Sequence, residues 1–238
     1  MAAPMAATAP QRVAWIDRAR GIALCAMIVY HFCFDLSLFG LTPWNVGGAP
    51  HWRAFAISIA GSFLFLAGLS LALASTSGVN RDAFLRRLAM VAGAAALVTV
   101  GTWAAMPYPV WFGILHAIAL FSVLALPFLR APTWAIVLTA AVILILPQVW
   151  QSEVFSSPLL YPIGLDPTPG PTFDYEPIFP WFAPVLLGVA ARRVLPLPRS
   201  AMATDLLARM GRHSLIIYLL HQPILFGLLI AATRLGLV

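Results

Sequence analysis

Three histidines and one aspartate stand inside stretches that are otherwise apolar. His31 and Asp35 lie in GIALCAMIVYHFCFDLSLFG, His116 in WFGILHAIAL and His221 in SLIIYLLHQP. In a helix, the i, i+4 spacing puts His31 and Asp35 on one face, one turn apart. A histidine poised by a carboxylate is a recurrent way to build a general base, because the carboxylate orients the ring and stabilises the imidazolium. Ionisable groups are expensive in hydrocarbon, so their presence there reads as functional by default. The competing reading is a histidine that only hydrogen-bonds across a helix interface, and it weighs more on His116 and His221 than on the His31/Asp35 stripe. A metal or haem site would want paired histidines on helix faces. The chain has no HxxH or HxxxH pair, so no metal is predicted.

Two further groups of residues could bind rather than react. Asp17, Arg18 and Arg20 open the first apolar run, and Arg212 and Ser214 open the last. Helix N-termini and arginine forks suit phosphate groups, although such arginines also set membrane topology. In the loops, Trp44, His51, Arg53, Asp174, Tyr175 and Glu176 combine aromatic, basic and acidic groups. They could hold a sugar-like acceptor, or simply form an interfacial aromatic belt.

The elements that must position these residues follow from composition. Of 238 residues, 61% are hydrophobic and 9% charged, with mean hydropathy +0.91. Soluble domains carry roughly 25% charged residues, so a solvated surface is excluded and the partner is the lipid bilayer. The formal charge of +6 comes from arginines at the ends of apolar segments, a topology signal and not a nucleic-acid footprint. Cys25 and Cys33 share one apolar run and read as packing residues.

A span needs roughly 20 apolar residues. On that criterion the fold is an all-α polytopic bundle with about seven spans, near 20–40, 54–76, 87–106, 112–129, 133–149, 178–196 and 213–233. Residues 1–11 read as a disordered tail and 12–238 as a single domain. Alternate loops collect Arg12, Arg18, Arg20, Arg81, Arg86, Arg87, Arg130, Arg192, Arg193, Arg199, Arg209 and Arg212, leaving Arg53 and Arg234 on the other side. The positive-inside rule then places the N-terminus in the cytoplasm and the C-terminus outside. At about 1.5 Å rise per residue, His31 lies about 16 Å beyond Arg20, near the midplane, and His221 about 12 Å beyond His213. His116 falls near the outer end of the fourth span. If spans one, four and seven are neighbours, the three histidines share one pocket.

The segments IDRARGIALCAMIVYHFCFDLSLFG, SFLFLAGLSL, FGILHAIAL, PIFPWFAPVLLG and GRHSLIIYLLHQP together resemble bacterial relatives of the heparan-α-glucosaminide N-acetyltransferase catalytic domain. The likeness runs from about Arg12 to Pro223. The opening is also similar to the acyltransferase type 3 family, in which an Asp, an Arg three residues on and a His eleven further recur; Asp17, Arg20 and His31 match them. The resemblance implies a transmembrane acyltransferase of the bacterial inner membrane. It would move an acyl group, acetyl first of all, from cytoplasmic acyl-CoA to an extracytoplasmic hydroxyl or amine. It also implies that His31 and Arg20 are essential. One departure stands out: the lysosomal enzyme's active-site histidine precedes a Trp-Asn pair, whereas Leu41, Thr42 and Pro43 precede Trp44-Asn45 here.

Combined, these observations predict a binding site for acetyl-CoA or another acyl-CoA at Asp17, Arg18, Arg20, Arg212 and Ser214, with the phosphates near Arg18, Arg20 and Arg212. His31, oriented by Asp35, deprotonates a small-molecule or glycan acceptor directly, or carries the acyl group itself. His116 and His221 stabilise the oxyanion or relay the proton. The alternative is a transporter, or a haem or small-ligand binding protein, using the same pocket. The sequence leaves monomer and homodimer open.

Overall fold

The computed structural model describes residues 13–195 and 203–237. The expected disordered tail, and Arg12 and Arg199 of the arginine count, lie outside the described residues. Among the described residues the chain is helical, with α1 (Ala14–Leu38), α2 (Pro50–Ala74), α3 (Arg81–Ala105), α4 (Ile114–Leu124), α5 (Thr133–Val149), α6 (Ile178–Val194), α7 (Leu206–Arg212) and α8 (Ser214–Arg234). Strand-like pairing among them is limited to an isolated parallel bridge between Phe112 and Tyr175.

Four helices, α1, α2, α3 and α8, are long and apolar enough to cross a membrane. The outward surface is apolar as well: Leu97 is 66% exposed, Trp103 69% and Trp134 70%. Water would not tolerate such a face, and lipid does, so the chain is an integral membrane protein. The remaining apolar helices are shorter. At 11 residues α4 rises about 16 Å, roughly half the hydrocarbon thickness. The fourth expected span is thus only partly α-helical. The helix stops at Leu124, and Pro127 starts a 3-10 turn, Pro127–Leu129. Proline has no N–H to continue the α ladder.

Several expected loops are helical. Pro50 occupies the first turn of α2, where its missing N–H is not needed, so His51, Trp52 and Arg53 are helical residues. Asn80 caps α3 by accepting from the Ala83 N–H at 3.0 Å, which brings Arg81, Arg86 and Arg87 onto that helix. Asp205 caps α7 in the same way through Ala208, at 3.1 Å, inside what reads as a basic linker.

The chain forms two compact units. One holds α1, α7 and α8; the other, Asn45–Leu195, holds α2 to α6. In the larger unit α6 packs on both α2 and α5, and α3 packs on α4. Gly68 of α2 meets the Val185 backbone of α6, and Gly188 of α6 meets the Phe65 carbonyl of α2, so a Cβ at either would overlap the partner's main chain. Small residues allow this close backbone approach, which is how helices gain dispersion energy in lipid. Arg193 donates to the Leu129 carbonyl at 3.1 Å and to the Phe128 carbonyl and Thr133 Oγ1 at 3.4 Å, closing the turn between α4 and α5.

Candidate functional site

The smaller unit brings His31 and His221 together. Their rings, on α1 and α8, have centroids 5.0 Å apart, tilted by 58°. Tyr30 lies edge-on to His31 at 5.5 Å and Tyr218 lies 5.6 Å from His221. His221 Nδ1 is 2.6 Å from the Tyr218 carbonyl oxygen. A carbonyl only accepts, so Nδ1 carries the proton and Nε2 keeps its lone pair. That Nε2 is buried without a hydrogen-bond partner.

Asp35 is fully buried. Its Oδ1 accepts from Gln222 Nε2 of α8 at 2.8 Å, so its hydrogen bond runs across to the next helix and not along α1 to His31. The partner a carboxylate finds is decided by reach, and the amide of a facing helix comes closer than a ring stacked one turn below. Asp35 Oδ2 and Gln222 Oε1 are buried with no partner, so together with His221 Nε2 three acceptor atoms stand open on facing turns of α1 and α8. Gln222 has no place in the expected site. The signal was available, because an amide beside a histidine inside an apolar helix is itself costly to bury.

At the arginine-rich end of α1, Gly21 abuts the Leu207 backbone of α7 and Gly211 abuts the Asp17 carbonyl. Buried Asp17 accepts from Arg20 Nη1 at 3.3 Å. Arg18 Nε reaches Asp205 Oδ2 at 2.9 Å, and Arg212 Nη1 donates to the Ala203 carbonyl at 2.6 Å. The cap bond from Ala208 first, and then Arg18, hold the Asp205 carboxyl below the usual carboxylate range. Ser214 opens α8 next to this knot. Arg18, Arg20 and Arg212 therefore stand close in one unit, each already bonded to protein. The Trp44 carbonyl accepts from Ser37 Oγ beyond the other end of α1.

His116 belongs to the larger unit. Its Nε2 lies 3.1 Å from Thr99 Oγ1 of α3, and Thr99 donates to the Val110 carbonyl at 2.7 Å while Thr102 Oγ1 accepts from the Val110 N–H at 2.9 Å. Asp174 Oδ2 accepts from the Ile114 N–H at 3.0 Å, capping α4 from 60 residues away. Glu176 N–H bonds to the Phe112 carbonyl at 3.0 Å, and Tyr175 donates its hydroxyl to the Tyr161 carbonyl at 2.7 Å. Asp174, Tyr175 and Glu176 are thus built into the framework at the start of α4. His51 and Arg53 are exposed on the first turn of α2. Of the predicted shared pocket, the structure joins His31 to His221 and places His116 with Thr99 and Asp174.

Among the described residues, no group of three His, Cys, Asp or Glu side chains converges to hold a metal. The sequence profile of the family described as heparan-α-glucosaminide N-acetyltransferase, catalytic, matches residues 12–223. No curated protein and no solved structure is matched.

Proposed function

We propose, from the premise that this chain belongs to the heparan-α-glucosaminide N-acetyltransferase catalytic family, that it transfers an acetyl group from cytoplasmic acetyl-CoA to an extracytoplasmic hydroxyl or amine. The observation that carries the reading is the His31/His221 pair, whose rings lie 5.0 Å apart with the Nε2 lone pair of His221 open. Nε2 takes the proton of the acceptor, whose oxygen or nitrogen attacks the thioester carbonyl. The new bond forms as the C–S bond breaks, and the leaving thiolate recovers the proton from the imidazolium. In this reading His31 binds the developing oxyanion, or acts as the alternate base or acyl carrier. The open oxygens of Asp35 and Gln222 are acceptors and suit the acceptor's remaining donors.

The donor's phosphates would join the knot of Arg18, Arg20 and Arg212. Arg18 spends only Nε on Asp205, leaving other donors of its fork available. The arginine distribution supports an N-terminus in the cytoplasm and seven crossings, with α4 and its 3-10 turn making up the fourth. A bacterial inner membrane is the setting that fits an acyl-CoA donor on one side and an acceptor on the other.

The test is calorimetric titration of acetyl-CoA into detergent-purified wild type, His31→Ala, His221→Ala and Arg20→Lys, with acetyl-CoA hydrolysis followed by thiol release as the turnover probe. Saturable binding is expected in wild type, kept within about twofold in both histidine variants and weakened about tenfold in Arg20→Lys, where a planar fork becomes a point charge. Turnover should fall about 10²-fold or more in His221→Ala. Absence of binding by folded wild-type protein overturns the reading.

A further inference from the structure

Glu176 is only 9% exposed, its Oε2 has no hydrogen-bond partner, and no cation among the described residues pairs with it. Its neighbour Asp174 is pinned by the Ile114 N–H at 3.0 Å. Gly113 lies so close to Asp174 that a Cβ there would overlap the carboxylate. Around this pair two loops are stitched together. Glu176 N–H bonds to the Phe112 carbonyl, Thr172 Oγ1 to the Pro109 carbonyl at 3.3 Å, and Phe173 packs on Tyr108. His116 hangs from α4 two residues beyond Ile114.

We propose that Asp174 and Glu176 share one proton and, so loaded, form a clasp that fixes the start of α4 and positions His116, and that the clasp opens as pH rises. Two neighbouring carboxylates, one of them buried, cannot both ionise cheaply. As a pair of anions they would repel across the point where the loops meet. With a proton on Glu176 its carboxyl donates to Asp174, whose Oδ2 faces the N–H groups at the start of α4. Burial first, then the Asp174 carboxylate, push Glu176 well above the usual carboxylate range. The facing titratable groups are His116 on α4, Tyr108 in the loop before it, Tyr161 on the 3-10 turn Tyr161–Ile163, and Asp166 and Tyr175. Asp166 is engaged by Ser156 and the Thr168 N–H. Burial, with Tyr161 and Asp166 nearby, pushes the Tyr175 hydroxyl up, so it stays neutral. His116 is the only group of this set able to turn positive. Because the folded-state value of Glu176 is raised, its contribution is full below the ordinary value and is lost as pH climbs through the raised one.

The clasp does not depend on the acyl-transfer reading, and its test reads structure and not turnover. Hydrogen exchange followed by mass spectrometry, on full-length protein in detergent from pH 5 to 9 and corrected for intrinsic rates, reports on residues 112–117 and 174–177. Wild-type protection should fall with pH, approaching about tenfold per unit once Glu176 ionises. Glu176→Gln, a neutral mimic, should stay protected with a flat profile, and Glu153→Gln, an exposed acid elsewhere, should behave as wild type. A flat wild-type profile, or an unchanged slope in Glu176→Gln, overturns the proposal. Should Glu176→Gln fail to fold, the wild-type slope and a parallel pH titration of Trp111 fluorescence decide it, a featureless Trp111 signal counting against the clasp.

Discussion

Replacing Gln222 by leucine removes the single hydrogen bond that the Asp35 side chain makes. The carboxylate is fully buried and the bond is 2.8 Å long, so nothing else among the described residues compensates. A hydrogen bond to a charged group contributes about 1.5–3 kcal/mol in soluble proteins. Within membranes, measured interhelical couplings average about 0.6 kcal/mol and reach about 1.7, because the unfolded helices also find partners. The full burial of Asp35 puts this pair at the upper end, near 1.5 kcal/mol of coupling. Gln222→Leu alone should cost about 2 kcal/mol, since it also strands the charge, which corresponds to a melting shift of roughly 4–8 °C for a chain of this length. Asp35→Leu in the Gln222→Leu background should recover part of that loss. The assay is a double-mutant cycle of Asp35→Leu and Gln222→Leu, read by equilibrium unfolding in mixed micelles titrated with SDS. A coupling below about 0.3 kcal/mol would show that the two side chains are independent and refute the account of the α1–α8 pair.

Two other predictions concern packing and charge. Gly188→Leu drives a side chain into the Phe65 carbonyl, and overpacking of this kind costs about 1–3 kcal/mol or more, so expression and thermal stability should fall sharply while Gly227→Leu, with open space around it, stays near wild type. Asp205 titrates below its unfolded value of about 3.9, so its support for α7 is present above that pH and lost as pH falls through the depressed one; exchange of the Ala208 amide should quicken below about pH 4 in wild type and be fast at every pH in Asp205→Ala.

Much of the fold was legible because a bilayer sets a length and a polarity for each segment. The expected bounds of α5, 133–149, coincide with the helix, and those of α8 fall within a residue. The helix starts differ from those expected where capping outweighs hydropathy, at Pro50, Asn80 and Asp205. Hydropathy measures a segment's preference for lipid, whereas a helix begins where its free N–H groups find partners. The short α4 shows the converse, an apolar stretch that proline divides.

The sequence by itself determined that this chain lives in lipid, that its polar groups are few, and which of them stand inside spans. Those are properties of one segment at a time, and hydropathy and the 3.6-residue period read them directly. Only the tertiary structure decided that Asp35 turns to Gln222, that His31 meets His221 while His116 sits with Thr99, and that Asp174 caps a helix 60 residues away. Partner choice depends on which faces of which helices touch, and that follows from glycine-lined approaches such as Gly21 on Leu207 and Gly68 on Val185. An i, i+4 spacing says which residues share a stripe, but the strongest available donor across the interface takes the carboxylate.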